Sequence, residues 1–494
     1  MHEAILCLDI GTTIIKAVLL DLAGGELGVA EQALQLLTPR PGWAELDPEA
    51  IWQAVVRVTR AVQSAQAPEG RILAVALSSQ GGSLVPTTDD GTPTYNAITW
   101  LDRRAEAIVA GWQGDGTSQW VRRISGWSPV AGLPLPSICW LRQALPDRFA
   151  ATQRFLPVND FVAHRLTGEF GTDLSMAGEL LLADIRTGTW SVELCDLAGI
   201  EPRQLSPIVP STAILGRVQA GASRLTGLPA GTPLVAGGQD HACEGLALGA
   251  TAPGSLWLAC GTAWVLNGAV DTPDVDEIPE TMSLNPHVVP GRWIASQFLG
   301  ALGAGMEWWV RHGWSGHRMA EPPDRQERYA SFNAELRETE PGSAGLFFFP
   351  LDGSQLAAGE TAAPGGFVGL RLDHTRADMG RALLESAAFE VRGALDHIRQ
   401  AGLPLERLWL VGGATRNPLW PQIIADVTGV PLSLTRYSHG PALGAALLAG
   451  RGLGLWDESP SWVSAGRVEP DGTHAGPYEE QFAAYRHLAG ELYR

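Results

Sequence analysis

Lysine is almost missing from this chain: of 35 basic residues in 494, Lys16 alone is lysine and the others are arginine. Acidic residues number 53, so the formal net charge is −18. A nucleic-acid groove needs clustered basic side chains to displace phosphate counterions, and this balance excludes one. Cysteine is scarce as well. Five cysteines, an odd number with no C-x-x-C spacing, predict reduced thiols rather than a disulfide frame. No stretch is long and uncharged enough to span a bilayer, so no membrane partner is expected. The start Met1-His2-Glu3 lacks a cationic region and Asp9 interrupts the first apolar run, which predicts no signal peptide and a cytoplasmic location. Two catalytic signatures are absent. There is no Gly-Lys-Ser/Thr of a Walker P-loop and no G-x-S-x-G nucleophile elbow. Asp240-His241-Ala242-Cys243 has no second Cys/His cluster to complete a metal site of its own.

What the chain does have is a Gly-Thr turn used twice, each time between two apolar runs. The first joins Leu6–Ile10 to Ile14–Leu20 through Gly11-Thr12-Thr13, and the second joins Ser255–Cys260 to Trp264–Leu266 through Gly261-Thr262-Ala263. Each reads as a β-hairpin whose turn offers N–H groups and hydroxyls to a phosphate chain. Their separation of half a chain points to two related domains facing each other across one nucleotide. With so little lysine, a polyphosphate would be held by backbone N–H groups, Thr hydroxyls and Mg²⁺. Lys16 lies just beyond the first turn and is a candidate phosphate contact.

Helical and strand patterns alternate, which makes the class α/β. Asp47-Pro48 caps a helix running to about Ala65, Arg71–Leu77 reads as a buried strand, and Ser78–Ser83 as a small polar loop. A Pro/Gly-rich patch from Ser206 to Thr232 precedes the strand Pro233–Gly237, and the lobe boundary is placed at 245/246, giving units 1–245 and 246–494. In the second unit Asp378–Arg399 has apolar residues at helical spacing and leads into the strand Arg407–Val411. The turn Gly412-Gly413-Ala414-Thr415-Arg416-Asn417, free of bulky side chains at its start, is a candidate adenine seat. Gly440–Gly450 is a small-residue helix suited to tight packing.

Two carboxylates carry the chemical interest. Asp9 ends a strand directly before the first turn, where it could hold Mg²⁺ through water. Asp240 follows a strand and the pair Gly237-Gly238, and would project beside an acceptor hydroxyl whose proton a carboxylate can take.

Five segments, Asp9–Thr13, Ile98–Arg104, Leu166–Asp173, Gly237–Asp240 and Val411–Ala414, resemble in order the FGGY family of carbohydrate kinases over roughly positions 4–450. The resemblance implies two actin-like, ribonuclease H-like domains with ATP and Mg²⁺ in the cleft between them. It also implies phosphorylation of a terminal hydroxyl on a small-molecule sugar or polyol. D-Xylulose is the expected acceptor, with ribulose, glycerol, erythritol or an autoinducer-type sugar as alternatives. By position it puts the base on Asp240 and the phosphate and Mg²⁺ roles on Asp9 with Gly11, Thr12 and Thr13. Gly261 and Thr262 match the second phosphate turn, and Gly412, Gly413 and Asn417 the adenine side. Acceptor contacts fall on Gln80, Gly81, Gly82, Trp100, Asp102, Asp240 and His241. Gly81-Gly82 and His241 replace the Met-His and Asn usual among xylulose kinases, so the pocket is expected to have lost hydrogen-bonding side chains. Asp352-Gly353-Ser354-Gln355 replaces a usual Gly-Glu-Arg. A homodimer is compatible with the family, although no patch identifies it. A binding sensor of the same fold is the rival reading, disfavoured by the presence of both Asp9 and Asp240.

Overall fold

Side-chain alternation along the first strand, Glu3–Ile10, assigns its two faces to different cores. Ala4, Leu6, Leu8 and Ile10 enter one apolar cluster, while Ile5 and Cys7 enter another, and Asp9 continues the Ile5–Cys7 face. In the computed structural model, which describes residues 3–64, 70–314, 325–351, 354, 365–435, 437–456 and 465–493, this strand is central in a six-stranded sheet. The order is Ile214–Arg217, Pro233–Gln239, Arg71–Ser79, Glu3–Ile10, Ile14–Asp21, Glu26–Ala33. Glu3–Ile10 pairs antiparallel with Ile14–Asp21, which pairs antiparallel with Glu26–Ala33, while Arg71–Ser79 and Pro233–Gln239 run parallel to the first strand.

The second sheet repeats that plan. An antiparallel run of Ser255–Cys260, Trp264–Val270 and Trp293–Phe298 is followed by Arg407–Gly412 and Leu432–Thr435, parallel to Ser255–Cys260. The five-strand kernel with its two hairpins is thus duplicated, each hairpin turn spanning three residues. The fold is the mixed α/β, actin-like one expected from the sequence.

Each sheet buries one face under its own helices. Pro48–Ser64, with the Asp47 carboxylate accepting from Glu49 N at 2.9 Å, lays Ile51, Trp52, Val55 and Val62 on the first sheet. Arg376–Gln400 starts at a Thr375/Asp378 capping box and packs Leu384, Ala388, Val391 and Leu395 on the second. Between the two inner faces lie helices Asp240–Ala247 and Gly440–Gly452, in one core with Cys7, Ala74, Ala76, Trp257, Trp409 and Val411. Small residues set their spacing. A Cβ on Gly444 would stand 1.9 Å from the Cys243 carbonyl oxygen, and one on Gly245 would stand 2.8 Å from the Trp257 ring. The expected boundary at 245/246 therefore falls inside a helix that leaves the first sheet and packs on the second. All five cysteines are free and buried. Asp352, Gly353 and Gln355 lie outside the described residues.

Gly444→Ala forces backbone apart at the contact between these helices, and it should cost about 1–3 kcal/mol in urea unfolding. Gly476→Ala is the control: nothing lies within 4 Å of the added carbon, in helix Ala475–Leu492. It should be neutral or gain about 0.5–1 kcal/mol.

Candidate active site

Asp9 reaches the cleft because the first strand's alternation turns it to the inner face two residues before the turn. It stands opposite Lys16 across the hairpin and beside Ser78 on the parallel strand. Burial, and then the charge of Asp240, push its carboxyl up to about 7, against the pull of Lys16 and Ser78. Lys16 has Asp9 and Glu31 as its cross-strand neighbours, so the only lysine of the chain faces two carboxylate positions.

Asp240 is the first residue of helix Asp240–Ala247, at the carboxyl end of the parallel strand Pro233–Gln239. Its Oδ1 accepts from Gln239 Nε2 at 2.7 Å and from His241 N at 2.8 Å, which fixes one oxygen and leaves Oδ2 outside both hydrogen bonds. Gln239 is itself held: its Oε1 caps the helix at Ala242 N, 2.9 Å, and its N–H donates to Ser175 Oγ at 2.9 Å. Ser175 Oγ in turn donates to Asp173 Oδ2 at 2.7 Å, with Ser211 Oγ on the same oxygen at 2.8 Å. Buried Asp173, from the segment Leu166–Asp173, therefore positions the aspartate through two intermediates. His241, half-buried, contributes its backbone N–H to this arrangement.

On the acceptor side, Thr12 Oγ1 donates to Gln80 Oε1 and accepts from Trp100 Nε1 at 2.8 Å. The Thr12 hydroxyl, expected on a phosphate, is thus engaged in tying the first turn to the acceptor loop; Gly11 and Thr13 complete that turn beside it. Gln80, Gly81, Gly82 and Trp100 come together, with Gly82 at φ +70° and an added Cβ there 3.1 Å from that of Trp100. Asp102 does not join them. Its carboxylate is buried against Arg104, whose Nη2 lies 2.7 Å from both Asp102 Oδ2 and Glu45 Oε1, and it also accepts from Ala44 N at 2.6 Å. Arg104 lies against Trp43 and Trp140, whose rings meet edge to face, so Asp102 serves a structural ion cluster.

Across the cleft, Gly261 and Thr262 form an exposed turn. Helix Leu302–Trp309 begins on it: Ala304 N donates to Thr262 O at 3.0 Å, and a Cβ on Gly303 would stand 2.0 Å from Gly261 O. The Gly300–Gly305 segment thereby supports the second turn. Gly412 (φ +89°) and Gly413 are exposed beside it, a Cβ on Gly412 falling 2.7 Å from Cys260 O. Asn417 is buried and committed: Oδ1 caps the next helix at Leu419 N and Trp420 N, and Nδ2 donates to Asn333 at 2.8 Å. It frames the glycine turn rather than offering its amide outward.

Two acidic residues were not legible as site residues in the sequence. Glu179 is pushed up to about 8 by burial and by Asp240, and Glu244 to about 8 by burial and then by Asp240 and Asp9. Both belong by electrostatics to the Asp9/Asp240 group. Among the described residues no cluster of three or more side chains could hold a metal by itself. Mg²⁺ characteristically keeps several waters and takes one or two carboxylates plus substrate phosphates, so Asp9, with waters and phosphate oxygens, is a donor that fits it.

Comparison with known proteins places the whole chain. Residues 4–246 match the N-terminal domain, and residues 257–453 the C-terminal domain, of the FGGY family of carbohydrate kinases. The L-xylulose/3-keto-L-gulonate kinase of Escherichia coli K12 is 29% identical over 501 residues, covering 100% of this chain and 98% of that protein. The autoinducer-2 kinase of Klebsiella pneumoniae is 30% identical over 498 residues, covering 98% and 93%. The crystal structure of xylulose kinase from Rhodospirillum rubrum superposes with a TM-score of 0.87 at 29% identity, covering 98% of each chain. No described helix is long and apolar enough to cross a membrane.

The carboxyl pKa values of Asp9, Glu179 and Glu244 lie above their ordinary values, so the folded protein binds more protons than the unfolded chain from about pH 4 to 8. Stability should therefore fall as pH rises through 7 and 8. Melting temperatures of the ligand-free protein from pH 5.5 to 9 should show that decline, and Asp9→Asn or Glu244→Gln should flatten it.

Proposed function

This chain belongs to the FGGY family of carbohydrate kinases, phosphotransferases that use ATP and an alcohol acceptor, and on that premise we propose that it phosphorylates a terminal hydroxyl of a small ketose or polyol. D-Xylulose, giving D-xylulose 5-phosphate, is the first acceptor to assign. The names of the Escherichia coli relative and the Rhodospirillum rubrum structure both support a xylulose-type substrate. Residues 1–245 would supply the acceptor pocket and the carboxylates, and residues 246–494 the second phosphate turn and the adenine side. Five buried free thiols agree with a reducing compartment such as the cytoplasm.

The observation that carries this reading is the pair Asp9 and Asp240, set at the carboxyl ends of parallel strands, each acting on the cleft from the first sheet. Asp240 Oδ2 takes the acceptor hydroxyl's proton as that oxygen attacks the γ-phosphorus, and the relay through Gln239, Ser175 and Asp173 keeps the carboxylate aimed. Backbone N–H groups of the two turns, at Thr12–Thr13 and Gly261–Thr262, hold phosphate oxygens from opposite sides. Mg²⁺ bound by Asp9 would neutralise charge on those phosphates.

Asp240→Asn should lower kcat for coupled ADP release about 10²–10⁴-fold and leave the affinity for ATP nearly unchanged. Equal loss of both would remove Asp240 from the role of base. Asp9→Asn should raise the Mg²⁺ concentration needed for half-maximal rate. A panel of D-xylulose, L-xylulose, D-ribulose, xylitol, erythritol and glycerol identifies the acceptor. ATP binding with no acceptor-dependent ADP release would favour a sensor.

A further inference from the structure

Glu179 is a carboxylate without a partner. It follows the short helix Leu174–Gly178, is only 8% exposed, and among the described residues neither a hydrogen-bond donor nor a cation acts on its side chain. Burying such a group without compensation is costly, so its retention calls for a ligand. Its placement is specific. A Cβ on Gly81 would stand 1.7 Å from Glu179 Oε2, and one on Gly82 would stand 3.9 Å from it, so the carboxylate lies across the Gly81-Gly82 backbone. Beside it Gln80 Nε2 is buried and unpartnered, because Gln80 bonds to Thr12 and Ser83 through Oε1 alone. Asp240 is near enough for its charge to act on Glu179. An unpartnered carboxylate, an unpartnered amide on the residue before Gly81 and the charge of Asp240 thus come together around the Gly81-Gly82 backbone, next to Trp100.

We propose that Glu179 binds the hydroxyls of the acceptor next to the one that is phosphorylated, that Gly81 and Gly82 are small to admit it, and that the pocket consequently selects neutral polyhydroxy acceptors over sugar acids. This rests on the kinase reading of the same cleft. Polyol hydroxyls donate to Glu179 and accept from Gln80 Nε2, satisfying both orphans at once. An acceptor carboxylate would instead meet Asp240 and Glu179 with no cation acting on either Glu179 or Glu244. The glycine pair is therefore a vacated volume that a glutamate fills from another segment.

Steady-state kinetics and calorimetric binding on the full chain, with D-xylulose, xylitol and D-gluconate as acceptors, test the assignment. Glu179→Ala should lower kcat/KM for the neutral acceptor about 10–100-fold, mainly through KM, with KM for ATP within about twofold. Gly81→Ala, which displaces the carboxylate, should cost a similar factor in the wild-type background and almost nothing in Glu179→Ala. Wild type should use D-gluconate at least about 100-fold less well than the neutral acceptor, and Glu179→Gln should narrow that gap about tenfold. The melting temperature of Glu179→Gln should equal or exceed that of wild type, as expected for a group kept for binding at the expense of stability. An unchanged acceptor KM in Glu179→Ala, parallel loss of ATP affinity, or equal use of D-gluconate by wild type would overturn the proposal. If wild type transfers phosphate to none of these acceptors, the kinase reading fails for them and calorimetry decides Glu179 separately. Polyol binding that Glu179→Ala abolishes would support it; binding that is absent from wild type or unchanged in the variant would overturn it.

Discussion

The contact on which the site depends is the close approach of helices Gly440–Gly452 and Asp240–Ala247, where Gly444 lies against the Cys243 carbonyl. The first helix follows the second sheet in the chain but packs on strands Arg71–Ser79 and Glu3–Ile10; the second leaves the first sheet and packs on Trp257. Each sheet is therefore gripped by a helix belonging to the other, and Asp240 begins one of those helices. The position of Asp240 relative to the first turn is fixed by the same packing that sets how the lobes face each other. Alanine and cysteine at Cys7, Ala74, Ala76, Ala445 and Ala446 are what allow that approach, since larger side chains would separate the sheets and widen the cleft.

Charge is the second constraint. Burial and the charge of Asp240 push up Asp9, Glu179 and Glu244, Asp9 adds to the push on Glu244, and among the described residues the cation set against this is Lys16, at Asp9. Left unfilled, Asp9, Glu179 and Glu244 retain protons; a cation and hydroxyl donors are the ligands that let them ionise. The scarcity of lysine is consistent with phosphate being gripped by backbone and metal rather than by side-chain charge. Thr12 links the two halves of the first lobe's chemistry, because its hydroxyl joins the phosphate turn to Gln80 and Trp100. Occupancy of the acceptor loop is thereby coupled to the geometry of the turn by direct hydrogen bonds.

Local pattern carried the fold a long way. Both hairpins, the Asp47-Pro48 helix start, the strands at Arg71 and Arg407 and the long helix at Asp378 are set by alternation, capping and 3.6-residue spacing, which are properties of neighbours in sequence. Side-chain commitments made over long separations were not legible. Asp102 lies in a promising run, yet its carboxylate is consumed by Arg104 and Ala44 N; Asn417 lies in a promising turn, yet it caps the next helix. Gly81-Gly82 reads as lost recognition because the sequence shows the missing side chains and hides Glu179, which enters the same space from nearly a hundred residues away. A paired reading of glycine and distant carboxylate requires the fold.

Duplication also explains why the chemistry is lopsided. The hairpins align so that Ile10 and Cys260 each precede a three-residue turn, which sets Asp9 against Ala259 one position earlier. Both copies keep the turn, as the proposed grip on a phosphate chain from two sides requires. Only the first keeps the carboxylate. A second one at Ala259 would add another negative charge to a cleft where Asp9 already holds its proton to about pH 7 and Glu244 to about pH 8. On the proposed reading the second copy is left to hold the nucleotide, and the carboxylates gather on the lobe that also carries Gln80 and Trp100, where proton removal and phosphoryl transfer have to meet.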